Sequence, residues 1–590
     1  MSESRLELQY RRLLNLYPQR QVTLTLEDIA IKLCCSKRHI RTVLQRMQQA
    51  GWLEWQPGRG RGHHSRLLLH FSEQQLLLQQ AQQLLEKGQH GKAISLAGDQ
   101  QNLLIKLLGQ RLGYRVTDDY SSLRVPYYRP MPVLYPCLPL RRSETHLLRQ
   151  IFSGLTRVDP TTAQPESDLA HHWTALNERH WRFYLRPGVR FHDGSELVSE
   201  DVVASLRRAA EQPLFTHLHS VIASGRLSVD VHLSQPDPQL PLLLTHVAAL
   251  ILPGDHLSRK QFSSHPIGTG PYQVIDNSPL QLRLQAFNDY FGLRGLLDEV
   301  DIIVCPPLAE TDSHPPQQMV SPDQDRLPAA WLSSSVSDMD HSDAAGLPVL
   351  SPKQDEEMFP EKGGYFLLCD QRSPSWQSAS ARCWLREVLS PQAILHRLPP
   401  QVQPLWIPAN SLLPDWHHCM CHPVGNRPAG LSAPQACLRL VVHRQHPEFK
   451  MLTDIMQALL QQQGIQLQCI EADYPQWWTG EGEADLWLGT VNFPIPEEWN
   501  VGAWLTGMPL LRTSISGGDQ QQLDDWQWGW RQGTLSGKSL TAEVLAEGWL
   551  QPLFHHWMRL KSPGQAQGIK LNNLGWFDFS QTWMPPGTAR

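Results

Sequence analysis

Lys37, Arg38, Arg41, Thr42 and Gln45 share one face of a helix predicted over Lys37 to Ala50. These residue types suit double-stranded DNA. Arginine pairs with guanine edges and glutamine with adenine edges, while lysine and threonine mostly hold phosphates. Arg59, Arg61, His63, His64 and Arg66 lie in or beside a Pro-Gly-Arg-Gly-Arg-Gly loop. Glycines let backbone approach phosphate closely, and arginines can enter a minor groove. A cluster of arginines on a helix is often only a solvated face, and a winged helix can also serve protein contacts. A second chemical candidate is the stretch Trp416 to His422, WHHCMCH, whose imidazoles and thiolates are zinc-ligand types. Its spacing matches no standard site, and adjacent ligands rarely converge on one ion. No nucleophile elbow, phosphate loop or dinucleotide fingerprint is present, so neither an enzyme nor a cofactor is expected; a zinc-dependent enzyme is the rival that metal analysis would test.

The elements around the basic face decide between its readings. Arg5 to Tyr17 has helical apolar spacing, and Pro18 ends it. Thr25 is placed to cap a helix over Leu26 to Leu33, with Asp28 completing an approximate capping box. Cys34 and Cys35 form the turn, and Ser36 caps the second helix. Ile40, Val43, Leu44 and Met47 give that helix one apolar face, and Gly51 stops it. Leu53 to Trp55 and Ser65 to His70 read as strands around the glycine-rich loop. The order of cap, turn, stripe, stop and wing predicts a winged helix-turn-helix over residues 1–72, with promoter DNA as partner.

Charge agrees. The 590-residue chain carries a net −5, yet Met1 to Ser72 holds 12 Lys/Arg against 5 Asp/Glu. A basic head on an acidic body points to a polyanion partner for the head alone. The length calls for several domain-sized units. The N-terminus lacks an apolar segment, so it does not read as a secretory signal. Leu240 to Pro253 is too short and interrupted to span a bilayer and reads as a buried helix. The 10 cysteines form no spaced framework, so reduced cytoplasmic thiols and no membrane association are expected.

Residues 73–120 read as a Gln-rich connector, helical from Glu73 to Arg115. From 121 the texture changes to strands, aromatics and Pro-rich turns. Leu123 to Val125 reads as a short strand stopped by Pro126, and Glu144 to Leu155 as an amphipathic helix. Pro306 to Pro360 reads as a loop-rich segment or insertion. Gly363 to Asp370 resumes as a buried strand and Ser378 to Leu389 as a helix. Leu438 to Val442 and Ile465 to Ile470 bracket a helix from Phe449 to Gln461, a βαβ texture that suggests a second α/β lobe.

Trp181 to Arg208, WRFYLRPGVRFHDGSELVSEDVVASLRR, resembles the extracytoplasmic solute-binding proteins that include oligopeptide- and nickel-binding members. Gly268-Thr269-Gly270-Pro271-Tyr272, Phe287-Asn288-Asp289-Tyr290 and Gln150 to Arg157 are further landmarks of that family. His192 and Asp193 tempt a catalytic or metal reading, but a tight turn explains them better, and Ser199 is placed to cap the following helix. The resemblance implies two α/β lobes that close on a ligand across a hinge, spanning residues 121–590. Tyr127, Tyr128 and Arg129 are candidates for one wall of the cleft. Aromatics stack on sugar rings, and arginine forks onto phosphate. Trp406 and the stretch Asp485 to Phe493 are candidates for the other wall. Peptide-binding members often carry an acidic residue where this chain has Asn492, which disfavours a peptide ligand.

The complete layout resembles the SgrR family of transcriptional regulators, including Cys35 to His39, Gly51-Trp52-Leu53, Tyr127 to Pro130, Arg141 to His146, Leu169 to Trp173 and Leu574 to Phe579. The fold expected is therefore multidomain α/β: an N-terminal winged helix-turn-helix plus a two-lobed, type II periplasmic-binding-protein-like domain. The resemblance implies a cytoplasmic, ligand-controlled regulator of glucose-phosphate stress. It would activate a small regulatory RNA gene, with RNA polymerase as a partner, and repress its own gene. A sugar phosphate is the candidate signal. The alternatives are a paralogous regulator answering another metabolite and a cytoplasmic sensor acting through protein contacts.

Overall fold

The computed structural model describes residues 5–58, 64–72, 113–117, 120–127, 129–304, 356–400, 402–417, 434–444, 446, 448–515, 519–561, 567–568 and 570–583, with isolated positions between 75 and 96. Contacts divide it into two units, one N-terminal through Arg111 and one comprising most of the remainder.

The first unit contains α1 (Arg5–Leu16), β1 (Gln21–Leu24), α2 (Leu26–Lys32), α3 (Lys37–Gln49), β2 (Leu53–Gln56) and β3 (Ser65–Leu69). Thr25 and Asp28 form the capping box of α2, and Ser36 accepts the His39 N–H at the start of α3. Cys34, at φ +53°, makes the turn between them. Gly51 ends α3 at φ +74°. Its N–H reaches Gln48 O at 3.0 Å while Trp52 N–H reaches Met47 O at 2.9 Å, the Schellman pattern a left-handed residue permits. Ile40, Val43, Leu44 and Met47 pack with Ile29, Ala30 and Leu33 and with Tyr10 and Leu13 of α1. Tyr10 adds a polar tie: its hydroxyl donates to Trp52 O at 2.8 Å and accepts from Phe71 N–H at 3.0 Å. The sheet order is β1-β3-β2, antiparallel throughout. β1 was not expected: only Leu24 of its four residues is buried, so its alternation is faint.

The second unit opens with β4 (Gly113–Thr117) and β5 (Tyr120–Tyr127), which correct two expectations. The helical connector does not extend to Arg115, and Pro126 does not stop the strand. β4 pairs with β5 only as far as Arg124, so Val125 to Tyr127 have a ladder on one side alone, among the described residues. Proline is tolerated there because the missing N–H leaves no ladder bond unmade. A short hairpin, β6 (Thr156–Val158) with β7 (Pro165–Ser167), precedes an antiparallel sheet. That sheet comprises β8 (Ala170–Asn177), β9 (His180–Leu185), β10 (Leu218–Gly225) and β11 (Ser228–Leu233), in the order β10-β11-β9-β8. β12 (Tyr272–Ser278), β13 (Gln281–Ala286) and β14 (Glu299–Val304) join β5 and β4 in a five-stranded sheet. Together these two sheets build the first lobe.

Leu240 to Pro253 is not one helix. It contains a four-residue helix, Leu240–Leu243, and a 3-10 turn, Val247–Ala249. Most of its apolar side chains are buried as expected, but the segment breaks at Thr245 and His246. Ser199 is likewise not the cap of the Ser199–Ala209 helix. Its hydroxyl donates to Gly225 O at 2.7 Å, and Asp201 accepts the Val198 N–H at 2.9 Å instead.

The FHDG turn is a staple, as the turn reading predicts. His192 Nδ1 accepts from Gly268 N–H at 3.2 Å, and its Nε2 donates to Gly270 O at 3.0 Å. Burial pushes its imidazole down to about 4, so the ring is neutral and keeps the tautomer this tie needs. A Cβ at Gly268 would lie 2.1 Å from Ile151 O, and one at Gly270 2.5 Å from Gln150 O. The two glycines allow the turn to lie against the end of the Arg142–Ile151 helix.

The second lobe is a seven-stranded sheet. β15 (Glu356–Pro360), β16 (Gly363–Cys369), β17 (Trp406–Pro408), β18 (Cys437–His443), β19 (Gln466–Ala472), β20 (Leu486–Asn492) and β21 (Leu550–Lys561) compose it. The order is β15-β21-β16-β20-β18-β19, with β17 on β21. β15 shows that Glu356 to Pro360 is strand rather than loop; residues 305–355 lie outside the described residues. β18, the Phe449–Gln461 helix and β19 form the expected parallel βαβ unit. β16 is buried along its whole length because helices cover both faces of the sheet. Tyr365, Leu367 and Cys369 enter one core and Phe366 and Leu368 the other. The chain re-enters the first lobe after β21, where Trp576, Phe577 and Phe579 join the five-stranded sheet's core. The two crossing segments pair with each other, Glu356 to Pro360 lying antiparallel to Lys561 to Trp557. No helix among the described residues is long and apolar enough to cross a membrane.

Candidate nucleic-acid interface and ligand cleft

On α3 the apolar half is buried and the other half is open. Lys37, Arg38, Arg41, Thr42 and Gln45 are all exposed, as are His39, Arg46 and Gln48. The helix contains no acidic residue, so its outer face is uniformly basic or neutral. Thr42 donates back to Arg38 O at 3.2 Å, and Lys37 Nζ meets Glu27 Oε1 at 2.8 Å in a solvent-exposed pair. Such a pair holds little energy and yields readily to a phosphate. Arg66 is exposed on β3, where it pairs with Thr23 and Gln56. Arg59 and Arg61 lie outside the described residues. Arg46 was not singled out in the sequence, although the same helical period that selects Arg38 and Arg41 leaves it exposed.

In the second unit the predicted walls fare unequally. Arg129 is buried and places its fork on Glu144, Nη1 to Oε1 at 2.5 Å and Nη2 to Oε2 at 2.8 Å. It therefore holds the start of the Arg142–Ile151 helix rather than presenting donors to a ligand. Tyr127 hydrogen-bonds Ser143 and packs on Trp576. Tyr128 lies outside the described residues. Trp406 is a buried aromatic packed between Tyr365 and His556, with ring centroids 5.1 and 4.2 Å away. Asn492 Nδ2 donates to Glu361 Oε1 at 2.6 Å.

Glu361 changes the meaning of Asn492. No carboxylate stands at 492 itself, yet the Glu361 carboxylate reaches that side chain from beside β16. Glu361 also meets Arg142 Nη1 of the first lobe at 3.4 Å, a long contact with Arg142 about 32 % exposed. Beside it Arg141 donates to Arg444 O at 3.1 Å and lies over the Tyr474 ring at 4.7 Å; Tyr474 donates to Leu140 O at 3.2 Å. The two lobes thus meet through an arginine pair on one side and Glu361, Arg444 and Tyr474 on the other.

Behind this contact lies a buried polar group. Tyr365 donates to Glu448, and burial pushes the Glu448 carboxyl up to about 8. Burial also raises Glu361, while Arg142 opposes the rise. His443 and His556 are driven down to about 3, first by burial and then by the arginines. At neutral pH this buried group therefore holds neutral imidazoles and a protonated carboxyl beside arginine charge. Glu448 Oε1 and His556 Nε2 are buried without a hydrogen-bond partner among the described residues, an uncommon state for polar atoms in a folded protein. This arrangement can bind and orient a polar ligand. Sequence reading missed Arg141, Arg142, Glu361, Glu448 and His556; Arg141 and Arg142 stood in a quoted motif, but nothing local marks the others.

The family model for the sugar transport-related sRNA regulator N-terminus matches residues 5–119, and that for the middle of bacterial extracellular solute-binding proteins, family 5, matches residues 164–382. The HTH-type transcriptional regulator SgrR of Yersinia enterocolitica is 40% identical over 586 residues, covering 99% of this chain and 100% of its own. That of Escherichia coli K12 is 38% identical, with 99% and 100% covered. Among solved structures, the Helicobacter pylori periplasmic binding protein DppA, in complex with the peptide STSA, has a TM-score of 0.60 at 15% identity, over 78% of this chain and 98% of that one. NikA from Brucella suis, in complex with Fe(III)-EDTA, has a TM-score of 0.56 at 14% identity, over 79% and 100%. These two likenesses are of fold alone; the relatives at higher identity are regulators, not enzymes. The chain belongs to the SgrR family of HTH-type transcriptional regulators, built on a solute-binding fold.

Proposed function

We propose that α3 and the wing read promoter DNA and that a small polar ligand, bound between the lobes of the second unit, controls that reading. The acid-free exposed stripe Lys37, Arg38, Arg41, Thr42 and Gln45 carries the DNA assignment. Arg38, Arg41 and Gln45 are the base-reading candidates; Lys37, Thr42, Arg66, Arg59 and Arg61 serve the backbone or the minor groove. A sugar phosphate is the ligand class the cleft favours. Arg141 and Arg142 supply charge for the phosphate, while His556 and Glu448 supply hydrogen-bonding groups for a sugar and Trp406 backs His556. Arg129 acts by fixing Glu144, and Tyr127 by fixing Ser143. Ligand stabilises the closed lobes, and a ligand indifferent to closure would switch nothing.

In the cell this protein is cytoplasmic. It activates a small regulatory RNA gene under glucose-phosphate stress, working with RNA polymerase, and represses its own gene. The test is to titrate the full-length protein against its own upstream DNA at fixed salt, with and without glucose 6-phosphate. DNA binding that shifts with the sugar phosphate is expected. Absence of specific DNA binding by folded protein would overturn the DNA assignment. DNA binding indifferent to glucose 6-phosphate would remove that ligand.

A further inference from the structure

We propose that the outer face of the four-stranded sheet carries a transition-metal site of the zinc class, with His180, His232 and Asp230 as its ligands. His180 on β9 and His232 on β11 are directly paired across the strands. Directly opposed residues place their side chains on one face, and here the imidazole centroids stand 4.0 Å apart, near parallel at 28°. Asp230 lies two residues before His232 on the same strand, hence on the same face. Its Oδ2 is 3.1 Å from His180 Nε2. Two atoms bound to one tetrahedral zinc at about 2.0–2.1 Å lie about 3.3 Å apart, so this pair already has the separation of two ligands on one ion. One donor atom from each of the three residues lies within 4.8 Å of the others.

The surroundings support a ligand role. The histidines border a hollow of about 550 Å³ that is also lined by His219, Ser220 and Asn177. His219 is exposed and stands at the irregularity of β10 between Leu218 and Ser220. An imidazole there can supply a fourth ligand. Arg182 grips Asp230 with Nε at 2.6 Å and Nη2 at 2.7 Å, and Ser224 donates to it at 2.9 Å. These bonds fix the carboxylate for the ion. The ion takes the place of the proton between His180 and Asp230, and the guanidinium charge keeps its affinity moderate. Imidazole with carboxylate suits zinc, nickel and copper(II) far better than magnesium.

The experiment is a titration of chelator-stripped full-length protein with Zn²⁺ against a chromophoric competitor, with Mg²⁺ in parallel. One equivalent of Zn²⁺ should bind and Mg²⁺ should not compete. H180Q/H232Q should weaken that equivalent roughly tenfold or more, and H219Q by less. A variant with His417, His418, Cys419, Cys421 and His422 replaced should keep it. Should H180Q/H232Q fail to fold, protection of His180 and His232 from diethylpyrocarbonate by Zn²⁺ in the wild-type chain reads the same contact. Zn²⁺ binding unchanged in folded H180Q/H232Q, no protection of these two histidines, or loss of the equivalent in the His417–His422 variant would each overturn the site.

Discussion

The stripe on α3 and the cluster at the lobe boundary both gather arginine, yet under opposite conditions. On α3 the arginines face water, and no acid on their own helix answers them. At the boundary Arg129 is buried on Glu144, and Arg142 meets Glu361 from 219 residues away. A solvated arginine exchanges counterions for phosphate, so its binding is diffuse and salt-sensitive. An arginine already held by a partner in the fold is committed to a geometry, so it discriminates shape and is less sensitive to salt. The first arrangement suits a long polyanion and the second a single small molecule.

The largest test of this contrast removes Trp406. Trp406→Ala should lower the stability of the second lobe by about 3–5 kcal/mol, read as a downshifted urea transition, while the transition of residues 1–72 stays in place. Arg38→Ala and Arg41→Ala come next. Each should weaken specific promoter binding by about 1–3 kcal/mol wherever the arginine reads a base, with ligand binding unchanged in calorimetry. Arg142→Ala should do the reverse, weakening a phosphorylated ligand by about 1.5–3 kcal/mol and sparing DNA binding. An Arg142 variant that binds ligand normally would break the comparison, since the cleft's charge would then be structural only.

Two finer tests separate exposed from buried groups. Glu448 titrates at about 8 in the folded chain, above the ordinary carboxyl range. The folded state therefore holds a proton that the unfolded chain has released, and its stabilising share is lost as pH rises toward and through 8. His443 and His556 titrate near 3 and His555 near 4 when folded, and their unfolded forms still take up protons near neutral pH, so they oppose this loss until the pH clears about 7.5. Second-lobe stability should fall between about pH 7.5 and 8.5, where Glu448 alone still exchanges a proton on unfolding, and Glu448→Gln should flatten that slope in urea titrations. Glu27→Gln should change head stability by less than about 1 kcal/mol, because its partner Lys37 is exposed, and should slightly tighten DNA binding.

The same contrast explains what could be read from the chain. Thr25, Asp28, Ser36 and Gly51 act on neighbours within a few residues, so the head was legible nearly to its caps. The exception was β1, whose partner β3 lies over 40 residues on. In the clamp, β16, the βαβ unit and the turns at His192 and Gly268 were legible because period and turn chemistry are local. Glu361, Glu448 and His556 were not, because their roles arise from contacts separated by scores to hundreds of residues. Arg129 was placed near the cleft, but its engagement with Glu144 could not be seen from spacing. Pro126 and Leu240 to Pro253 misled for a related reason: a one-sided ladder and tertiary burial override a local stop or run.

The paired crossings, Glu356 to Pro360 against Lys561 to Trp557, have a mechanical consequence. A two-stranded ribbon flexes across its thin direction with little loss of hydrogen bonding, but sliding one strand along the other breaks every rung at once. Such a ribbon favours a swing of one lobe about the other, like a book on its spine, over a slide. A ligand held between the lobes, as proposed above, would be read as a change in the angle of that swing.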